Sequence, residues 1–167
     1  MVDIRIEGIE ELFEKLDGLV DTSKLENALG KACAVVERSA KQKAPKDTGA
    51  LRREMTHEVQ VTGTTIEGIV FNPVEYAPYV EYGTGIYAEN GGTSGYWVYV
   101  GDKDYDPNRK KSGKRYTLQE AKKIVAIMRS KGLEAYYTNG MQPHPFLRPA
   151  LNENKDEIIQ IIKEALG

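Results

Sequence analysis

The chain has 167 residues, with 23 Lys or Arg against 25 Asp or Glu and a formal net charge of −2. That balance argues against a general polyanion binder, which carries a basic excess. No apolar run approaches the ~20 residues that cross a bilayer, and the single cysteine, Cys33, excludes an internal disulfide and fits a protein made inside the cell.

Val2, Ile4 and Ile6 alternate with charged residues, the period of a half-buried strand. Ile9, Leu12, Phe13, Leu16 and Leu19 then follow a helical period, interrupted at Asp21-Thr22. A longer helix is expected after Ser23, where Ser23 and Glu26 fit a capping box. Leu25, Ala28, Leu29, Ala32, Val36 and Ala40 form its apolar face, with small residues that allow close approach to a sheet or another helix. Cys33 lies beside this stripe and reads as a buried structural thiol, since no histidine or second cysteine is near it in sequence to activate it. The helix should stop before Pro45. Ala44–Gly49 is a tight connector, in which Asp47 or Thr48 is placed to cap a short turn at Ala50-Leu51-Arg52.

Met55, His57, Val59 and Val61 alternate, as do Ile66, Gly68 and Val70 beyond Thr62-Gly63, a hairpin signal. The second strand leads into Asn72–Gly85, where Tyr76, Tyr79 and Tyr82 recur every third residue between prolines and glycines. That spacing predicts a short helix with an aromatic face. From 86 to 140 the composition changes. Gly91–Gly95 is a flexible loop, Tyr96–Val100 a strand and Asp102–Arg115 a polar loop. Thr117 and Glu120 form a second capping box before Ala121, Ile124, Val125 and Met128, Gly132 is a stop, and Leu133–Thr138 is a strand. After the proline-rich stretch Pro143–Pro149, Leu147, Ala150, Leu151, Ile158, Ile161 and Ala165 form one side of a closing helix, with Pro149 in its first turn. The fold expected is α+β: a small antiparallel sheet of three to five strands packed by a long N-terminal helix and a C-terminal helix, with an αβ insertion. Residues 1–86 and 139–167 form the core domain and 87–138 the inserted subdomain or extended loop.

Few residues suggest chemistry. The two histidines, His57 and His144, have no clustered cysteine or carboxylate spacing for zinc, and no Gly-x-Ser-x-Gly elbow is present. Gly83-Thr84-Gly85-Ile86-Tyr87-Ala88 matches a dinucleotide fingerprint formally, but no helix pattern follows it to receive a pyrophosphate. Asp102, Asp104 and Asp106 alternate as in a calcium loop, yet Pro107 stands where glycine is needed and Gly113 where glutamate is needed. The basic block Arg109–Arg115 offsets these acids. No catalytic, cofactor-binding or metal-binding residue is assigned, and the chain does not read as an enzyme.

The aromatics are the main asymmetry: all ten tyrosines lie between Tyr76 and Tyr137, with Trp97 among them. Tyrosine and tryptophan suit protein contacts, carrying large area with a polar tip. The candidate contact residues are Tyr76, Tyr79, Tyr82, Gly83, Thr84 and Gly85 with Pro143, His144, Phe146 and Arg148. The two segments should lie together. Whether the rings pack inward or face a neighbour is open at the level of sequence.

Three motifs in order carry a family resemblance: Ala44-Pro45-Lys46-Asp47-Thr48-Gly49-Ala50-Leu51-Arg52; Asn72 with Tyr76-Ala77-Pro78-Tyr79-Val80-Glu81-Tyr82-Gly83-Thr84-Gly85; and Gly140-Met141-Gln142-Pro143-His144-Pro145-Phe146-Leu147-Arg148-Pro149-Ala150-Leu151. Together with the amphipathic closing helix, they resemble the gp-ten-like neck or tail-completion proteins of long-tailed phages, typified by coliphage HK-ninety-seven. The resemblance implies a structural assembly protein of a phage or prophage, acting at the head–tail junction or tail end as a tail-completion or neck connector. It implies other neck or tail proteins as partners, a hexameric ring in the virion that is compatible with a monomer in isolation, and no cofactor, membrane or nucleic acid. The protein would pass from the host cytoplasm during assembly into the virion. The alternative reading is a nucleic-acid-binding or nuclease protein using residues 109–115 and nearby tyrosines.

Overall fold

The computed structural model describes residues 22–46, 49–63, 65–101 and 113–166, and the backbone of 2–6. The expected helix over Ile9–Leu19, the caps Asp47 and Thr48, and most of the acidic–basic loop after Gly101 lie outside the described residues.

The fold mixes helix and antiparallel sheet, as its patterning predicts, and its contacts group into two units, Met1–Glu81 with His144–Gly167, and Tyr82–Pro143. In the first unit, strand β1 (Val2–Ile6) is followed by helix α1 (Thr22–Lys43), a short α2 (Ala50–Arg53), β2 (Thr56–Thr62), β3 (Thr65–Asn72) and α3 (Ala77–Tyr82), whose last residue falls in the second unit. Helices α5 (Leu147–Glu153) and α6 (Lys155–Leu166) close the unit. The sheet order is β1-β3-β2, all antiparallel, with Ile4 opposite Val70 and Val59 opposite Gly68.

The register explains how the first core forms. Ile66, Gly68, Val70 and Asn72 alternate onto one face of β3, where Leu25, Leu29, Ala32, Cys33, Val36 and Ala40 bury the facing stripe of α1. Gly68 sets the closeness of that packing. A Cβ there would lie 2.5 Å from Cys33 Sγ and 3.0 Å from Leu29 Cγ, inside van der Waals contact. Cys33 is fully buried, and burial first, then the charge of Glu37, pushes its thiol up to about 11. It stays protonated and packs as a small apolar side chain. Leu25, Leu29 and Ile66 continue into Val59 of β2 and Ile162 and Leu166 of α6.

Two helix ends depart from expectation. Helix α1 already includes Thr22, so Ser23 lies inside it and not at a capping-box start. The closing helix is two helices broken at Asn154, whose side-chain amide donates to Ala150 O at 2.6 Å and occupies a carbonyl that a continuous helix would bond through its backbone. Pro149 does sit in the first turn of α5.

Glu37 of α1 receives hydrogen bonds from Lys41 Nζ and from His57 Nδ1 on β2, tying helix to sheet edge. Burial alone would raise its carboxyl, but the hydrogen bonds and charges of Lys41 and His57 outweigh it and hold the group below its ordinary value of 4.5. A carboxyl depressed in the folded state contributes stability above its unfolded value and loses it as pH falls through the depressed one. Glu37→Gln is therefore expected to cost about 1 kcal/mol at neutral pH. Melting curves should show that difference shrinking once the pH drops below the ordinary glutamate range. A gap between the two proteins that is the same at neutral and acid pH would contradict it.

The second unit holds β4 (Trp97–Val100) paired antiparallel with β5 (Ala135–Thr138), and helix α4 (Leu118–Ser130). Here the local signals suffice: Thr117 Oγ1 accepts from the Glu120 amide at 3.3 Å while the Glu120 carboxylate accepts from Thr117 N at 2.8 Å, completing the expected capping box. Ala121 and Val125 of α4 and Ala135 of β5 are buried.

Candidate functional site

The three sequence motifs meet as hydrogen-bonding partners. Arg52 donates from Nε (3.1 Å) and Nη2 (2.9 Å) to Ala44 O, and from Nη2 to Gln42 O, capping carbonyls at the C-terminus of α1. Asn72 is fully buried. Its Nδ2 donates to Leu51 O at 2.7 Å, and its Oδ1 accepts from Val74 N at 3.1 Å, turning the chain out of β3.

Glu81 is the centre of the arrangement and has no exposed surface. One oxygen accepts from the amides of Phe146 (2.8 Å) and Leu147 (3.0 Å). The other accepts from the amide (3.1 Å) and Nε (2.9 Å) of Arg148. Arg148 Nη2 also donates to the Glu81 carbonyl at 3.0 Å. The amides at the start of α5 are donors that its own helix cannot satisfy, and Phe146, at the N-cap, offers no side-chain acceptor. A carboxylate placed against a helix N-terminus and paired with a guanidinium meets both needs at once. The His144 amide donates to Val80 O at 2.8 Å, so α3 and residues 144–148 lie together as the sequence suggests.

This frame decides how the expected contact residues are used. Ala77, Val80 and Glu81 form the buried side of α3. Tyr76, in the turn before the helix, is 42% exposed and Tyr79 55% exposed, and His144 is also exposed. The three tyrosines do not form one presented face, because Tyr82 is half-buried. Phe146 is fully buried and Arg148 half-buried against Glu81, so these two residues hold the frame. Sequence reasoning missed Glu81. Its signal was indirect: a helix start at Phe146-Leu147 with no Ser, Thr, Asp or Asn to cap it implies an acceptor from elsewhere.

Within the second unit, residues 82–86 run beside 139–143. Thr84 N donates to Met141 O (2.9 Å), Ile86 N to Asn139 O (3.1 Å), and Met141 N to Thr84 Oγ1 (3.0 Å). The backbones cross so closely that a Cβ on Gly85 would lie 1.9 Å from Asn139 O. Gly83 faces Pro143 and Met141 O, and both glycines are buried. Their conformations serve this crossing. A 3-10 turn over Gly85–Tyr87 follows Gly83 and Gly85, where a dinucleotide site would need a full helix.

Among the described residues, no group of three or more His, Cys, Asp or Glu side chains is placed to hold a metal ion. No described helix is long and apolar enough to cross a membrane. What the site offers is shape: a short helix and the turn before it, clamped through Glu81, with Tyr79 and Tyr76 exposed on them.

A family model described as "Bacteriophage HK97-gp10, putative tail-component" matches residues 7–83. No curated protein and no solved structure matches the chain. The matched span takes in α1, the Arg52 cap, the hairpin, Asn72 and the Glu81 helix. Over residues 7–83, a little under half of its length, the chain is similar to the HK97-gp10-like family of bacteriophage proteins, described as a putative tail component.

Proposed function

We propose that this protein is a phage tail component that completes the tail or joins it to the head, through protein contacts made by the Tyr76–Tyr79 corner. The observation that supports this reading is the pairing of exposed rings with a buried clamp. Tyr79 projects from a helix whose other side is fixed by Glu81, and Tyr76 from the turn that leads into it, so little side-chain or backbone freedom is lost when a partner covers them. Other tail or neck proteins, and further copies of this chain in a six-fold ring, are the partners this role requires.

Deleting the gene in the parent phage or prophage should leave DNA-filled heads and tails that do not join. Normal infectious particles from the deletion would sink the proposal. In a finer test, the double variant Tyr76→Ala/Tyr79→Ala should melt within about 0.5 kcal/mol of the parent protein, because both rings are exposed. Its yield of joined particles should fall. Full particle yield from the folded variant would show that this corner is not the contact.

The nucleic-acid reading rests on residues 109–115 and nearby tyrosines, and of that basic block Lys114 and Arg115 are among the described residues. Arg115 lies 3.3 Å over the Trp97 ring and Lys114 5.3 Å over Tyr116, so these cations already cover ring faces that bases would need.

A further inference from the structure

The two units differ in charge. Residues 82–143 carry ten Lys or Arg and six Asp or Glu, net +4, whereas the rest of the chain carries thirteen and nineteen, net −6. Aromatic surface accompanies both signs. In the positive unit, Ala135 marks the buried face of the β4–β5 ribbon. By strand alternation the opposite face carries Trp97 and Tyr99 across from Thr138 and Tyr136. Tyr99 and Tyr136 stack with centroids 5.6 Å apart and remain 50% and 37% exposed. Cations sit at both ends of this row. The Arg115 guanidinium covers Trp97 and donates to Thr93 Oγ1 at 2.9 Å, and Arg129 lies 5.6 Å from the Tyr136 ring. Arg115 Nη1 is buried without a hydrogen-bond acceptor, and the indole face takes that place. In the negative unit, the exposed corner carries a carboxylate, Glu75, beside Tyr76 and Tyr79.

We propose that the Trp97–Tyr99–Tyr136 face of one copy docks on the Glu75–Tyr76–Tyr79 corner of a second copy. This inference rests on the reading of that corner as a contact surface and names its occupant. Tryptophan, tyrosine and arginine are the residues that anchor protein interfaces, and the opposite charges of the two units give the approach its direction. The contact is heterologous: each chain offers one face and one corner, so it propagates from copy to copy. A protein occupant is favoured over a nucleic acid because the Arg115 guanidinium already covers the Trp97 ring face on which a base would stack.

Sedimentation velocity on the full chain tests this. Association is expected at low salt, with an apparent Kd that rises by about tenfold between ~50 and ~300 mM salt. Tyr99→Glu and Glu75→Arg alter exposed positions, should still unfold in one cooperative transition, the first at a slightly lower temperature for the loss of the Tyr136 stacking, and should each sediment as a monomer. An equimolar mixture of the two should associate again, because each altered surface then meets its complement. A parent chain that stays monomeric at low salt, or a mixture that fails to restore association, overturns the docking. So does binding of a fluorescent single-stranded oligonucleotide that is lost in Tyr99→Glu, which would assign the ribbon to nucleic acid. Joined particles from phage carrying the monomeric variants would reject this contact and leave the tail role standing, whereas normal particles from the gene deletion would reject the tail role itself.

Discussion

Glu81→Ala is expected to destabilise the first unit by about 3–5 kcal/mol, the cost of removing one partner from a buried, hydrogen-bonded ion pair. The substitution removes the carboxylate to which the amides of Phe146, Leu147 and Arg148 and the Nε of Arg148 donate. Against a total stability of roughly 5–15 kcal/mol, that is a large share, and a fall in Tm of about 10 °C follows from the size of the chain. Glu81→Gln keeps one acceptor oxygen but turns an amide donor toward other donors, so a smaller loss of about 1–3 kcal/mol is expected. The order alanine worse than glutamine is the measurement that matters. Equal melting temperatures for Glu81→Ala and the parent would mean that the carboxylate does not hold α5.

The second large effect is expected at Gly85. Its φ of +63° lies in the left-handed region, and a Cβ would stand 1.9 Å from the Asn139 carbonyl oxygen. Gly85→Ala must separate the two crossing segments, at a cost of about 3 kcal/mol or more from overpacking and backbone strain together. Gly91 supplies the control. It also has positive φ, +94°, but nothing lies within 4 Å of its notional Cβ, so Gly91→Ala pays only the backbone preference, about 1 kcal/mol. Hydrogen exchange should show the amides of Thr84, Ile86 and Met141 losing protection in the first variant and keeping it in the second. Comparable protection in both would place the constraint on Gly85 in its backbone angle and not in the crossing.

The sequence was most legible where a signal and its partner are neighbours. The Thr117–Glu120 box, the 56–72 hairpin and the apolar stripe of α1 all act within a few residues or along one face, and all form. The expectation of a buried Cys33 holds for the same reason: its place in the stripe is fixed by helical period. Failures came at helix boundaries and where a distant partner decides. Ser23 carries a good local capping pattern, yet α1 already includes Thr22. Asn154 interrupts a periodic apolar pattern because its own side chain takes the Ala150 carbonyl. Glu81 was assigned no role, since nothing beside it in the sequence hints that it meets amides 65 to 67 residues later. Phe146 was grouped with contact residues because an aromatic between prolines reads equally as surface or core. Burial settles it as core.

The distance along the chain between Glu81 and α5 has a kinetic consequence. Bringing Glu81 to the Phe146 amide closes a loop of 65 residues, and that closure must be made before the contact gives anything back. If the Thr84–Met141 crossing forms first, the two ends arrive already side by side and the loop left to close is only a handful of residues. The logarithmic dependence on loop length makes that difference about 2 kcal/mol in closure entropy, or some thirtyfold in the rate of reaching the clamped state. The inserted unit would then act as a template for the order of folding, and refolding of Gly85→Ala should be slower in proportion. An unchanged refolding rate in that variant would show that the clamp closes without waiting for the crossing.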